Sequence, residues 1–259
     1  MFPILYKIGP VNLYTYGFFL SLGFLLAILV AGREARRLGL PEGHFYDLCF
    51  YIILASIVGS RLLFVILDIG PFLENPLKIF ALWEGGLVFH GGLIAALLLA
   101  FFFMRRHKMP WRVTLDALAV GIPLGVTFGR IGCFMAGCCF GRPTDLPWAV
   151  RFTHPETLCP VQDPLHPAQL YEALLSLGIF AAVFFLRKNK RFDGQTVLTY
   201  FFLAGLTRFT VEFFRASSAL DPRGPELIPG MPATQVVALG IALVSGALLW
   251  WGLRRSPKS

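Results

Sequence analysis

The chain of 259 residues is 56% hydrophobic and only 15% charged, which is too apolar for an ordinary soluble domain and matches a polytopic membrane protein. Its net charge of +8 comes from basic residues clustered between apolar runs, the positive-inside pattern of membrane loops, so nucleic acid is not an expected partner. Five cysteines, an odd set without a CxxC pair, signal neither a disulfide framework nor a metal site, and no cofactor is implied.

The N-terminus, MFPILYKIGPVNLYTYG, lacks a basic n-region followed by an apolar core and a small-residue cleavage site, so the first apolar run is expected to stay. A bilayer crossing needs about 20 apolar residues. Seven runs approach that length: Tyr14–Ala31, Phe45–Leu67, Leu87–Met104, Val113–Phe134, Gln169–Leu186, Thr196–Phe214 and Thr234–Leu253. They predict an all-α polytopic membrane protein of seven transmembrane helices, a single integral membrane domain over residues 1–259. Arg33, Arg36 and Arg37 follow the first run; Arg105, Arg106, Lys108 and Arg112 the third; Arg187, Lys188, Lys190 and Arg191 the fifth; Arg254, Arg255 and Lys258 the last. The other side carries fewer, namely Lys7, Lys78, Arg142, Arg151, Arg215 and Arg223. The bias places the N-terminus outside and the C-terminus in the cytoplasm. The outer connection Cys138–Ala168 is rich in turn residues and contains WAVRF, a short strand pattern, which suggests a small periplasmic cap over about 138–168.

Gly129–Arg142, GRIGCFMAGCCFGR, is the least lipid-like stretch. Ionisable residues at membrane depth persist where they face a cavity, a partner or a substrate. Irregular, glycine-dense backbone survives there only when it is buried in protein or lines a polar cavity. At roughly 1.5 Å per residue, Arg61, Arg130 and Arg208 lie about 24, 26 and 18 Å along outward-going runs, in the outer half of a core about 30 Å thick. Tyr14 and Tyr16 begin the first run from outside and His90 the third, so the polar groups converge below the outer surface.

Two guanidiniums at similar height suit a phospholipid phosphate, because the planar fork of donors matches its oxygens. The structural alternative for Arg130 and Arg208 is snorkelling, or an ion pair with Glu212 or Glu172. Arg61, in GSR, suits headgroup binding or a structural role equally. His90, flanked by glycines in WEGGLVFHGGL, has the chemistry of a proton acceptor; the alternative is a helix–helix hydrogen bond. His166 reads as a structural residue at a span start. Cys133, Cys138 and Cys139 read as small hydrophobes. Arg208, Glu212 and Arg215 share one helical face.

The motifs YTYG at Tyr14–Gly17, GSR at Gly59–Arg61, FHGG at Phe89–Gly92, GRIGxFxxGxxxGxPT at Gly129–Thr144, HPxQLYE at His166–Glu172 and RFxVEFFR at Arg208–Arg215 recur in order along nearly the whole chain. Together they resemble the bacterial prolipoprotein diacylglyceryl transferases. The resemblance implies a multi-pass enzyme of the bacterial inner membrane, with its site toward the periplasmic leaflet among membrane lipids. It would move the sn-1,2-diacylglyceryl group of phosphatidylglycerol onto the lipobox cysteine of a preprolipoprotein signal peptide and release glycerol phosphate. It also implies that Arg130 binds phosphatidylglycerol and that His90, Arg208, Tyr16, Gly141 and Glu212 are further functional positions. Some members carry Asn where this chain has Cys133 and Glu where it has Cys138, so no catalytic role carries over to those side chains.

In this reading Arg130 and Arg208 hold the phosphate, and His90 takes the thiol proton directly or through Tyr16. The rivals are a lipid or small-anion transporter or scramblase using the buried arginines, a membrane redox protein using the cysteines, and another lipid-headgroup enzyme. The inverted repeats expected of the first and the aspartate-rich metal motif expected of the last are not evident.

Overall fold

Long runs of Leu, Ile, Val and Phe fold as helices, because backbone in hydrocarbon must satisfy its own hydrogen bonds. A computed structural model describes residues 2–8, 11–81, 85–216 and 226–256. Its helices are α1 Thr15–Arg37, α2 Glu42–Leu67, the short α3 Gly70–Glu74, α4 Phe89–Arg106, α5 Trp111–Ala136, α6 Ala168–Leu186, α7 Gln195–Glu212 and α8 Ala233–Arg255. Three antiparallel hairpins accompany them: β1 Ile4–Ile8 with β2 Val11–Tyr14, β3 Val150–Phe152 with β4 Val161–Leu165, and β5 Glu226–Ile228 with β6 Met231–Pro232. The WAVRF stretch contributes β3. Arg223, Lys258 and the Trp83–Glu84 start of the His90 motif lie outside the described residues.

Six of these helices are long and apolar enough to cross a membrane: α1, α2, α4, α5, α6 and α8. The expected seventh, α7, is a helix but does not reach that standard. Gln195, Arg208, Glu212 and the threonines at 196, 199, 207 and 210 dilute its 18 residues.

The chain divides into two compact units, residues 1–34 with 115–259, and residues 35–114. In the first, α1 closes on α5 along small residues. A Cβ on Gly121 would strike the Ala27 carbonyl, and Gly23 faces Gly125 and Phe128. Without a hydrophobic drive between helices in lipid, such backbone proximity is what holds them. Val120, Ile179 and Val183 form a buried cluster joined by Val30, Phe180 and Tyr200, so α1, α5, α6 and α7 share one core. Gly205 of α7 packs against Ala238 and Ala242 of α8.

One end of this unit is fixed by a buried carboxylate. α7 begins at Gly194, with φ 99° and no side chain to cap the helix. Asp116 of α5, 1% exposed, supplies the cap from another helix: its oxygens accept the amides of Gly194 at 2.9 Å and Val197 at 3.0 Å, and Lys190 Nζ lies 3.1 Å away. An anion at a helix N-terminus meets both the orphan N–H groups and the positive end of the dipole. Glu34 and Arg187 pair nearby at 2.9 Å.

In the second unit α2 and α4 pack closely. Gly59 and Gly91 face each other's backbone, and Gly92 lies against Ser56 and Ser60. The segment after α2 is organised by Arg61, which is 5% exposed.

Candidate active site

The first unit gathers ionic groups from three helices. Arg130 sits near the end of α5, and its Nη2 reaches Glu172 Oε1 on α6 at 3.0 Å. The other oxygen of Glu172 lies 3.9 Å from Nη1 of Arg208 on α7. Arg208 Nη2 forms an ion pair with Glu212 Oε2 at 2.8 Å, one turn on, and Arg215 Nε lies 3.9 Å from the same oxygen. The spacing 208, 212, 215 puts these three on one face, as the sequence indicated. Glu212 is fully buried, Arg215 and Glu172 nearly so, while the Arg130 and Arg208 side chains keep 24% and 27% exposure. Among the described residues, these three guanidiniums and two carboxylates leave one net positive charge. Arg208 Nη1 is buried and donates no hydrogen bond to any described residue. An anion arriving there meets both a charge deficit and a waiting donor. Burial first, then the charges of Arg208 and Arg130, lower the Arg215 pKa from its ordinary value.

The GRIG segment fastens this cluster. α5 ends in a Schellman turn, with Cys138 N–H bonded to the Cys133 carbonyl at 3.2 Å, Gly137 N–H to the Phe134 carbonyl at 3.3 Å, and Gly137 at φ 72°. The reversed chain then runs between the start of α6 and the end of α7. Gly141 N–H bonds the His166 carbonyl at 2.8 Å, and Arg142 N–H bonds the Phe214 carbonyl at 2.9 Å. A Cβ at Gly141 would collide with the Phe214 carbonyl and with His166. Gly141 is therefore a point of close approach between three segments, the last of which leads directly into Arg215.

Tyr16, in the first turn of α1, lies with its ring 3.1 Å from the position a Cβ would take on Gly132, two residues beyond Arg130. Gln169, 1% exposed, donates its Nε2 to the Cys138 carbonyl at 2.7 Å, while its Oε1 accepts no hydrogen bond among the described residues. The sulfurs of Cys133, Cys138 and Cys139 lie within 4.8 Å of one another, and Cys139 has φ 61°. Sequence spacing gives no sign of this grouping, because it depends on the chain reversing at Gly137. On the flank of α7, an apolar cavity of about 380 Å³ is lined by Trp148, His166, Tyr171, Leu175, Val211 and Phe214. Tyr171 Oη accepts from Trp148 Nε1 at 2.7 Å and lies 3.1 Å from His166 Nδ1. Burial, then the charge of Arg142, lowers the His166 pKa below its ordinary value.

In the second unit, Arg61 turns inward. Its Nε donates to the Ile79 carbonyl at 2.9 Å, Nη1 to the Gly85 carbonyl at 2.6 Å and Nη2 to the Lys78 carbonyl at 2.5 Å. Phe64 and Phe72 flank the guanidinium at 5.5 and 5.4 Å. Its donors are spent on the loop after α2. His90 stands exposed in the first turn of α4, its ring 5.8 Å from that of Phe89, and the glycines after it serve the α2–α4 seam.

Of the residues singled out from sequence, the first unit thus joins Arg130, Arg208 and Glu212 in one ionic chain and sets Gly141 in its clasp. The bridging Glu172 was visible only as a possible partner. Gln169 was missed, although it sits in the same HPxQLYE motif.

Residues 3–251 match the family described as prolipoprotein diacylglyceryl transferase. The phosphatidylglycerol–prolipoprotein diacylglyceryl transferase of Coxiella burnetii (strain Dugway 5J108-111) is 34% identical over 264 residues, covering 99% of this chain and 97% of its own. The protein of the same name from Wolbachia pipientis is 39% identical over 224 residues, with 82% and 81% covered. That from Pseudomonas putida (strain GB-1) is 34% identical over 263 residues, with 98% and 95% covered.

Proposed function

We propose a mechanism from one premise: the chain belongs to the prolipoprotein diacylglyceryl transferase family. Its activity is transfer of a diacylglyceryl group from phosphatidylglycerol to a prolipoprotein. The acceptor atom is the thiol sulfur of the lipobox cysteine. A carbon–sulfur bond forms at the glyceryl carbon, the carbon–oxygen bond to phosphate breaks, and that electron pair leaves with glycerol phosphate. The phosphodiester carries one negative charge and the departing monoester gains a second. Transition-state stabilisation therefore means meeting charge as it develops on the phosphate.

Arg130 and Arg208 bind that phosphate. The observation that carries this assignment is Arg208 Nη1, a buried donor without an acceptor in a cluster with one net positive charge. Glu172 touches both guanidiniums and holds their forks in place before the lipid arrives. Glu212 keeps Arg208 oriented from its own helix, and Gly141 fixes the loop that carries Arg142 beside the end of α7. Tyr16 lines the α5 face next to Arg130. His90 is assigned the thiol proton on its chemistry, since an imidazole is a general base able to take a thiol proton as sulfur attacks. Arg61 orders the loop after α2.

α7 is a seventh crossing in this reading. The Arg208–Glu212 pair lets a short polar helix pass through hydrocarbon with its charges neutralised. The basic residues after α1, α4, α6 and α8 favour an outside N-terminus and a cytoplasmic C-terminus, with the site toward the outer leaflet of the inner membrane.

The deciding assay is glycerol phosphate release by the purified protein in phosphatidylglycerol micelles with a lipobox peptide. Release depends on the peptide cysteine. Arg130→Ala and Arg208→Ala each lose a charged hydrogen bond of about 1.5–3 kcal/mol, or roughly 10- to 100-fold in kcat/KM. Undiminished activity in both sinks the phosphate clamp, and full activity in His90→Gln removes the base.

A further inference from the structure

The cysteine cluster is not used by the proposed transfer. Cys133 lies in the last turn of α5, three residues after Arg130, and the left-handed residues Gly137 and Cys139 fold the chain back so that three sulfurs meet. A non-glycine residue at φ 61° is uncommon, and such positions gather at ligand clamps. The three cysteines are half-buried rather than sealed in the core. A tetrahedral cation about 2.3 Å from each sulfur sets them about 3.8 Å apart. Cys138 and Cys139 already stand 3.8 Å apart, and every pair lies within 4.8 Å, so closure needs side-chain movements of about 1 Å or less.

One further observation concerns the amide packed beside the cluster. Gln169 holds the Cys138 carbonyl through Nε2 while the oxygen of the same amide is buried without a hydrogen bond. That oxygen lacks a positive partner.

We propose that Cys133, Cys138 and Cys139 form a three-thiolate site for a thiophilic d10 cation of the Zn2+ class, with its fourth position open to Gln169 Oε1 or water. Binding takes up one M2+ and releases three thiol protons to the buffer, so the loaded cluster carries one net negative charge. That charge lies one helical turn from Arg130 and competes with the lipid phosphate for it. This consequence rests on the assignment of Arg130 to phosphate; the metal site itself does not.

The test is titration of the full-length, reduced protein in detergent with Co2+, followed by displacement with Zn2+. The expected result is a thiolate-to-cobalt charge-transfer band saturating at one ion per chain and lost on Zn2+ addition. The band persists in Cys49→Ala/Cys159→Ala. It disappears in Cys133→Ser/Cys138→Ser/Cys139→Ser, and Cys139→Ser alone weakens binding by more than about tenfold, the loss that even outer-shell changes can give. Far-ultraviolet circular dichroism of each variant verifies that the helices remain. Absence of the band in the folded wild type, or an undiminished band in the triple variant, overturns the proposal. With the band established, Zn2+ raises the KM for phosphatidylglycerol and EDTA reverses it; an unchanged KM overturns the competition with lipid. Failure of the phosphate assignment is seen separately, as normal lipid binding by Arg130→Ala with the cobalt band intact.

Discussion

Replacing Glu172 by Gln separates stability from catalysis within the arginine cluster. The amide keeps the size of the carboxylate but removes its charge and offers an NH2 group to two guanidiniums that are themselves donors. The lost contacts are a charged hydrogen bond to Arg130 at 3.0 Å and an ionic contact to Arg208 at 3.9 Å. Breaking a fully buried pair costs about 3–5 kcal/mol. Both guanidiniums keep roughly a quarter of their exposure, so solvent screening reduces the expected destabilisation to about 2–3 kcal/mol. The net charge of the cluster simultaneously rises from one to two positive, which favours the lipid phosphate. Glu172→Gln is therefore expected to unfold earlier in denaturant, to bind phosphatidylglycerol more tightly with a lower KM, and to turn over at least tenfold more slowly because the arginines lose their common anchor. Denaturant titration in detergent and steady-state kinetics at varied lipid fraction measure all three. A raised KM with unchanged kcat and stability would refute the reasoning.

Asp116→Asn removes the carboxylate that caps α7 from α5 and should destabilise the chain by about 1–3 kcal/mol, with lipidation lost only as the fold is lost; equal stability to wild type sinks the capping argument. Gly141→Ala forces the clasp apart against the Phe214 carbonyl and His166, costing about 1–3 kcal/mol by overpacking. Here activity should fall further than stability, because three segments beside the charged cluster move together; normal kcat/KM contradicts it. The folded pKa of His166 lies below its unfolded value, so its contribution to stability is present above about pH 6.5 and declines as the pH falls through the folded value. Between about pH 7 and 5, wild type should lose more stability than His166→Gln, and parallel curves would remove His166 as the source.

The helices were legible because apolar runs of bilayer length report themselves directly, and the ordered motifs pointed to the cluster before any distance was known. What the sequence left open was pairing. It offered Glu212 and Glu172 as possible partners, and the fold shows that Glu172 touches both Arg130 and Arg208. Arg61 sits at a similar expected depth, but only the folded loop shows its donors taken by the carbonyls of Lys78, Ile79 and Gly85. The three-sulfur cluster needed left-handed residues on both sides of Cys138, at Gly137 and Cys139, a backbone feature with no period to detect. The polar content of α7 was visible from the start, and it is what sets this helix apart from the six that are long and apolar enough to cross a membrane.

The same polar content explains why the site is built where it is. In the proposed mechanism α7 crosses the membrane, where a helix lined with leucine would cross more readily but offer nothing to a phosphate. Arg208 is tolerable there because Glu212 neutralises it from one turn away and Glu172 from the neighbouring helix. Those partners leave one donor, Nη1, unsatisfied. The ionic chain is thus arranged so that its stability in the empty state is nearly, but not fully, complete. In the proposed mechanism that remaining capacity takes the lipid phosphate. Any variant that fully satisfies Arg208 from within the protein should gain stability and lose turnover together, and the opposite sign of those two changes is the signature of a binding arginine over a purely structural one.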